Sequence, residues 1–207
     1  MKKLYITIVL AFIAIGANAQ APNWGWAEGS NGPGKANGFS TTTDALGNTY
    51  VTGFFDSTIT IGSLTLVDTF GLSMFVAKYD VLGNAIWANS AGGIPNFLFS
   101  PRSDIATDPM GNVFVIGTHN PPSITFGTFT LPNYGMHIVK YNAAGTVLWA
   151  KGVENVLATS AATDASGNVF VTVYFFSPNA TFGAYTLTNT DTSVLLADIF
   201  VVKYDAA

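Results

Sequence analysis

The chain has no cysteine among its 207 residues. It can therefore form no disulfide and has no thiolate nucleophile or cysteine-based metal site. Charged residues are also scarce, at 10% of the chain, against roughly 25% in an ordinary soluble domain. The net charge is −4, and lysine and arginine do not cluster. This composition argues against a surface that follows nucleic-acid phosphates, so we expect no nucleic-acid partner.

Helical periodicity is missing as well, since no stretch beyond the N-terminus repeats apolar residues every 3.6 positions. Hydrophobic residues make up 49% of the chain and aromatic residues 14%, and there are 21 glycines. Such a chain can bury a substantial core and form many tight turns, and it is too hydrophobic to be disordered. We therefore predict an all-β protein.

The first 19 residues have the pattern of a secretory signal peptide. Two lysines give a basic start, residues 4–15 form a mostly apolar run, and A-N-A at 17–19 is a small-x-small cleavage site. The apolar run is shorter than the roughly 18 residues needed to span a bilayer. We therefore expect cleavage before Gln20 rather than an uncleaved anchor, and no later segment is apolar enough to cross a membrane. The mature protein is then periplasmic, cell-surface or extracellular.

One motif occurs three times in the chain. It reads D-A-L-G-N-T-Y-V-T-G-F-F at 44–55, D-P-M-G-N-V-F-V-I-G-T-H at 108–119 and D-A-S-G-N-V-F-V-T-V-Y-F at 164–175. Trp-Ala pairs, Lys-Tyr pairs and an [IF]-G-x-x-T-L block recur with the same period of about 60 residues. We predict a single domain that contains three such units. The domain is 20–207, and its units are about 26–86, 87–148 and 149–207.

Local signals in each unit are those of strands and tight turns. D-x-x-G at 44–47 and again at 80–83 places Asp first and Gly fourth, which is typical of a type I turn followed by a left-handed glycine. The segments beside these turns are rich in β-branched and aromatic residues. We expect four or five short strands per unit. Stacked units of four antiparallel strands form the blades of a β-propeller.

The order D-x-x-G-N-x-[YF]-V-T-G, F-G-x-x-T-L and F-V-x-K-Y-D-x-x-G-N-x-x-W-A resembles the bacterial β-propeller repeat called the SBBP repeat. The resemblance covers nearly all of residues 24–205. It implies an exported bacterial protein, often a large one at the cell surface. It implies no enzymatic activity and supplies no catalytic residues.

The third unit departs from this pattern, since it reads Y-D-A-A at 204–207 where the second unit continues into a turn glycine and a Trp strand. Either the Trp strand at 22–29 closes the last unit, or the chain is a fragment of a larger propeller protein. Three units are fewer than the roughly four to eight blades of known propellers, and a closed ring of three would be too tight. We therefore expect an incomplete, open propeller, or a half that self-associates to complete a ring.

The repeat also assigns both histidines to aromatic positions. The aligned residues are Phe55 and Phe175 for His119, and Phe75 and Phe200 for His137. The two histidines have no acidic neighbour and no recognised metal-ligand spacing. We expect a structural role for both, rather than catalysis or metal binding.

The recurring aspartates and lysines are the remaining chemical candidates. Asp44, Asp108 and Asp164 cap turns, and the D-x-[DN]-x-[DN]-G pattern of a calcium loop occurs nowhere. The lysines lie inside apolar strands, where a buried ammonium needs a partner. We predict one ion pair per unit. The pairs are Lys78–Asp44, Lys140–Asp108 and Lys203–Asp164.

The tryptophans divide into two groups. Trp26, Trp87 and Trp149 recur once per unit, which favours packing between units over a sugar-stacking platform. Trp24 does not recur, so it is the better candidate for an exposed contact. Arg102 is the sole arginine and lies in no recognised motif.

We interpret the chain as an exported, non-enzymatic binding or scaffold module, with no catalytic, cofactor or metal site. Its unknown protein or glycan ligand would bind loops that differ between units. Residues 93–104, with Phe97, Phe99 and Arg102, form the longest insertion, and 188–198 form another. The alternatives are a carbohydrate-binding surface module, a fragment of a larger protein, and a propeller enzyme, whose converging acids or histidines the sequence does not show.

Overall fold

The computed structural model describes residues 23–69, 71–92, 103–119, 123–189 and 197–206. Eighteen strands and no helix occur in these ranges. None of the described residues forms a helix that could span a bilayer. The strands are β1 (Ser30–Asn31), β2 (Ala36–Thr43), β3 (Thr49–Phe55), β4 (Thr58–Ile61), β5 (Leu64–Val67), β6 (Ser73–Tyr79), β7 (Ala85–Gly92), β8 (Ser103–Thr107), β9 (Val113–His119), β10 (Ser123–Phe126), β11 (Phe129–Pro132), β12 (Gly135–Tyr141), β13 (Val147–Glu154), β14 (Val156–Thr163), β15 (Val169–Phe175), β16 (Asn179–Phe182), β17 (Tyr185–Thr188) and β18 (Asp198–Tyr204).

The strands form three antiparallel sheets, one for each repeat. The first sheet has the order β2-β3-β6-β7, the second β8-β9-β12-β13, and the third β14-β15-β18. The Trp strand comes last in the first two sheets, where Trp87 pairs with Lys78 and Trp149 pairs with Lys140. A register shift follows each of these pairs. The equivalence of the two sheets therefore extends to individual residue pairs.

Each sheet also has a small hairpin inserted between its second and third strands. The hairpins are β4-β5, β10-β11 and β16-β17. They arise from the [IF]-G-x-x-T-L blocks, because Gly62 and its equivalents Gly127 and Gly183 have φ values of 57–60° that suit a two-residue turn. The predicted count of four or five strands per unit is therefore too low for the first two units, which have six each.

Neighbouring sheets pack face to face through an apolar core. Met74 and Val76 of β6 lie in one cluster with Ile105 and Val115 of the second sheet. All seven residues of β6 and all seven of β12 are buried. Burial of one such apolar side chain stabilises the folded state by about 1.5–3 kcal/mol. The third strand of each complete sheet, which is buried along its whole length, lies at the centre of the fold.

The first strands of the three sheets lie side by side, in the order β2, β8, β14. In the described residues β18 pairs with β15 alone, so the third sheet has three strands and an open edge. The Trp strand predicted at 22–29 does not close this sheet: residues 23–29 form no strand, and the chain enters the fold at β1, which pairs with β4. The prediction of an all-β protein with open, propeller-type repeats is confirmed.

Candidate functional site

The turn aspartates are held by their own turns. Asp44 Oδ1 accepts the backbone N–H groups of Leu46 and Asn48 at 2.9 and 3.0 Å, and Oδ2 accepts the Asn48 amide at 2.8 Å. Gly47 closes the turn at φ 82°, donating its N–H to the Asp44 carbonyl at 3.0 Å. Each carboxylate is therefore engaged by the backbone it caps, which is the predicted turn role.

The same arrangement recurs in four turns and explains the asparagine of the D-x-x-G-N motif. Each Asn donates its side-chain amide to the Asp of its own turn at 2.7–2.9 Å. The pairs are Asn48–Asp44, Asn84–Asp80, Asn112–Asp108 and Asn168–Asp164. Sequence reasoning assigned no role to this asparagine, although its recurrence was the signal that could have revealed one.

These bonds favour the ionised carboxylates. Burial raises the pKa of Asp44, but the hydrogen bonds from Asn48, Tyr50 and Leu46 outweigh it and hold the pKa below its ordinary value. The Asn168 amide is the largest cause of the lowered pKa of Asp164. A low pKa suits a structural anion and does not suit a general acid or base near neutral pH.

The predicted lysine–aspartate pairs are correct in one unit only. Lys78 Nζ lies 4.0 Å from Asp44 Oδ2, while the predicted Lys140–Asp108 and Lys203–Asp164 ion pairs do not form in the part of the chain that the structure describes.

The lysines that are buried bond across to the next sheet instead. Lys78 Nζ donates to the Ala143 carbonyl at 3.2 Å, and Lys140 Nζ donates to the Ala206 carbonyl at 3.0 Å. Lys203, on the open edge, is exposed. The two buried lysines therefore join neighbouring units, and Lys78 also contacts Asp44 of its own unit.

Each lysine also lies over the aromatic ring of its cross-strand neighbour. The distances to the ring centroid are 5.1 Å for Lys78 over Tyr50, 5.3 Å for Lys140 over Phe114 and 5.6 Å for Lys203 over Phe170. Cation–π contacts at this range stabilise a partly desolvated ammonium by about 0.5–2 kcal/mol. The aromatic at the [YF] position of the repeat thus forms part of the lysine's environment.

The recurring tryptophans also join neighbouring units. The Trp87 ring stacks on Tyr141 of the second sheet at 6.2 Å, lies against Gly145 and donates its N–H to the Ala143 carbonyl at 3.1 Å. A Cβ atom at Gly145 would lie 2.7 Å from the Trp87 ring, so this contact requires glycine. The tryptophans at these positions pack between units, as the sequence indicated.

The two histidines lie together, where the other units have pairs of phenylalanines. The ring centroids of His119 and His137 are 5.6 Å apart, against 6.3 Å for Phe55–Phe75 and 5.1 Å for Phe175–Phe200. The repeat alignment is therefore correct at both positions.

This histidine pair is unusual in its polarity. Both rings are buried, and none of their four nitrogen atoms has a hydrogen-bond partner of normal geometry among the described residues. Burial lowers the pKa of His119, with partial opposition from backbone groups near Pro132, and lowers that of His137 well below its ordinary value. Both rings are therefore neutral at pH 7. A cavity of about 150 Å³, lined by His119 and Glu154 among others, lies beside them.

Asp104, which the sequence placed at the end of the 93–104 insertion, lies in β8 instead and links all three sheets. It occupies the position of Ser40 in the first sheet and Ser160 in the third. It accepts hydrogen bonds from the Ser40 hydroxyl at 2.5 Å and from the Ser160 hydroxyl and the Ala161 N–H at 2.8 Å. Burial raises the pKa of Asp104, but these bonds outweigh it and leave the pKa lowered. Asp104 escaped prediction because it does not recur.

The exposed surface offers two ends of the sheets as binding candidates. The turns of the five D-x-x-G or N-x-x-G segments lie at one end, which we call the turn rim, and the small hairpins connect strands at the other. Leu46, Leu82 and Met110 are largely exposed on the turn rim. Phe97, Phe99 and Arg102 lie outside the described residues, as does most of the predicted loop at 188–198.

Within the described ranges, no group of three or more His, Asp or Glu side chains could hold a metal ion.

No protein-family model matches the chain. A similar protein is an uncharacterized WD repeat-containing protein of Acanthamoeba polyphaga mimivirus, which is 35% identical over 117 residues. The match covers 52% of this chain and 8% of the relative, so the chain spans a small part of that protein's length. Together with the three repeated sheets, this similarity indicates a propeller-like repeat module of the binding or scaffold type. The narrower resemblance to the SBBP repeat and a bacterial origin stay predictions.

Proposed function

We propose that the chain is an exported, non-enzymatic binding or scaffold module that uses its turn rim to contact a protein partner. Export rests on the signal-peptide pattern of residues 1–19, which lie outside the described residues. The scaffold role rests on the repeated sheets, in which the recurring Asp, Asn, Lys and Trp side chains stabilise turns and contacts between units. Those residues are thereby committed to the framework.

The observation that carries the proposed binding surface is the set of apolar side chains on the turn rim. Leu46, Leu82 and Met110 occupy the third position of their turns, where the equivalent turns have Ser166 and Ala144. The turn itself therefore does not require an apolar residue there. Val81 lies against Gly47, so the two turns of the first sheet form one apolar patch. Exposed patches of this kind mark interaction sites.

A triple variant tests this surface. Leu46→Ser, Leu82→Ser and Met110→Ser follow the natural example of Ser166 and are expected to leave the fold intact. A matched control replaces Ile86 and Leu148 by Ser, since these are exposed apolar residues on fourth strands. We expect cell-envelope proteins that co-purify with the wild type and the control to be lost from the triple variant. Equal binding by all three proteins would contradict the proposal.

Two further measurements test export and the carbohydrate alternative. Mass spectrometry of the mature protein should find Gln20 at the N-terminus, and retention of residues 1–19 in the cytoplasm would overturn export. Glycans should not quench the tryptophan fluorescence of the wild type. Saturable quenching by one glycan class, unaffected by the triple variant, would favour a carbohydrate-binding module instead.

A further inference from the structure

Residues 23–29 occupy the place of a fourth strand that precedes the first sheet. Trp26 stacks on Tyr79 at 5.7 Å and 26°, and a Cβ atom at Gly83 would lie 3.0 Å from its ring. This repeats the contact of Trp87 with the second sheet. Next along the chain, β1 pairs with β4 of the first small hairpin, just as β7 contacts β10 and β13 contacts β16. The segment thus holds the position of a Trp strand without having a sheet of its own.

The third sheet has the complementary feature, an open edge and face on β18. Ile199 is 78% exposed and Val201 is 65% exposed. Their equivalents on β6, Met74 and Val76, are each 1% exposed because the second sheet covers them. An apolar strand edge of this kind readily pairs with another strand.

A groove of about 390 Å³ runs between the last small hairpin and β18. Its lining is mostly apolar and consists of Phe182, Tyr185, Leu187, Val201, Val202 and the Lys203 side chain. In the first two units the hairpin glycine touches the start of the fourth strand: a Cβ atom at Gly62 would lie 2.9 Å from Ala85, and one at Gly127 would lie 3.4 Å from Val147. A Cβ atom at Gly183 would have no such neighbour within 4 Å among the described residues.

The residue that belongs in this groove can be identified by spacing. Ala85 and Val147 each precede the Trp of their strand by two positions, and the residue two positions before Trp26 is Trp24. Trp24 is 96% exposed, although it and Trp26 are the largest side chains of the segment. A Trp in place of Ala or Val matches a groove that lies open beside Gly183.

We propose that the chain self-associates head to tail, with residues 23–29 of one copy completing the third sheet of a second copy as its fourth strand. Trp24 fills the groove beside Gly183 of the second copy. The segment of the same chain does not fill this place, because its residues 23–29 form no strand on β18 and a closed ring of three units is too tight. Two copies give six units, within the usual range of blades, and the heterologous contact closes into a ring.

The internal contacts predict the register of the new interface. Trp87 pairs with Lys78 and Trp149 with Lys140, so Trp26 of one copy pairs with Lys203 of the other. Lys78 and Lys140 each donate to the carbonyl that follows the first residue of the next turn. By the same rule Lys203 donates to the Val81 carbonyl of the copy that supplies Trp26, which leaves no recurring lysine exposed.

The solution mass of the purified chain, measured by sedimentation equilibrium over a range of concentrations, tests the proposal. We expect a species of two chains that dissociates on dilution. Trp24→Ala damages the donated segment and Val201→Lys damages the groove, and each is expected to weaken association at least tenfold. Both residues are exposed in the single chain, so the variants should fold, which circular dichroism would check. Ile86→Lys, at an exposed site on β7 that belongs to neither face, should associate like the wild type.

Mixing the two damaged variants distinguishes this specific interface from non-specific hydrophobic association. A Trp24→Ala copy keeps an intact groove and a Val201→Lys copy keeps an intact Trp24, so the mixture can form one sound interface and should partly recover the two-chain species. A wild type that stays a single chain at every concentration would overturn the proposal. So would variants that associate normally, or a mixture that recovers nothing.

Discussion

At the scale of the residue, the histidine pair is where this chain departs most from its own repeat. His119 and His137 replace two phenylalanines that pack together in the other units. A buried polar atom without a hydrogen bond costs about 1–3 kcal/mol. None of the four ring nitrogens has a hydrogen-bond partner of normal geometry among the described residues, and burial disfavours protonation of either ring.

Replacing both histidines by Phe is predicted to stabilise the protein and flatten its pH dependence. In the folded state the pKa values of both rings are lowered, so below the unfolded value of about 6.5 the unfolded chain binds protons that the folded chain does not. Stability of the wild type should then fall as the pH drops below about 6.5, and that of the His119→Phe/His137→Phe variant should not fall until the carboxylates titrate. Urea unfolding of both proteins measures this pH dependence of stability. A range from pH 4 to pH 8 brackets the ordinary histidine pKa of about 6.5. Parallel profiles would show that the nitrogens are solvated.

Asp104 is predicted to be the carboxylate on which the contact of the three sheets depends most. Asp104→Asn preserves the shape of the side chain but places an amide donor opposite the donors of Ser160 and Ala161. We therefore expect the free energy of unfolding to fall by about 2 kcal/mol at pH 7. Since its folded pKa is lowered, this stabilisation is present above the unfolded value of about 3.9 and is lost as the pH falls through the folded pKa.

Chemical denaturation measures the Asp104 effect, with Asp205→Asn as the control, because Asn142 occupies the equivalent position in the second unit. A difference between Asp104→Asn and the wild type that persists at low pH would contradict the charge-based explanation.

At the scale of the element, the turns and hairpins show how far the sequence determines this fold. Asp and Gly at fixed positions predicted the turns correctly, because turn geometry depends on a few adjacent residues. The strand count was too low because the [IF]-G-x-x-T-L block was not recognised as a hairpin, in which Gly62 lies at the turn between β4 and β5. Two of the three predicted lysine pairs were wrong. Lys140 bonds to the Ala206 carbonyl of the next unit, which the sequence of its own unit does not show, and Lys203 is exposed on the open edge.

Non-recurring residues were the hardest to assign for the same reason. The repeat identified His119 and His137 by aligning them with phenylalanines. It could not identify Asp104, whose role depends on two serines from other sheets. Such a residue contacts its partners only after the sheets have packed, so the sequence around it contains no local pattern that predicts the contact.

The first turn of the second sheet gives a prediction at this scale. Asp108→Ala removes the acceptor for Met110 N–H, Asn112 N–H and the Asn112 amide, so we expect a loss of about 1–3 kcal/mol. Asp108→Asn should cost less, because Asn142 caps its own turn through the same two backbone bonds. Thermal unfolding of both variants measures the difference. Equal losses would mean that the charge, rather than the turn geometry, stabilises this segment.

At the scale of the whole molecule, one type of contact between units is made twice, and one half of it is left over at each end. Trp, Lys and the following turn make it between the first and second sheets and again between the second and third. The first sheet already has Trp26 in place, and the third sheet has its edge strand free. The two ends of the molecule therefore differ, and each carries what the other lacks. This arrangement suits both a module of a longer array and head-to-tail assembly.

Hydrogen exchange of the third strand in each sheet tests this central claim most directly. At a concentration where the chain is a single copy, β6 and β12 have partners on both sides, whereas β18 pairs with β15 alone. Alternate amides of β18 should then exchange much faster than those of β6 and β12. Equal protection of all three strands in the single copy would show that the third sheet is complete, which would contradict the open arrangement.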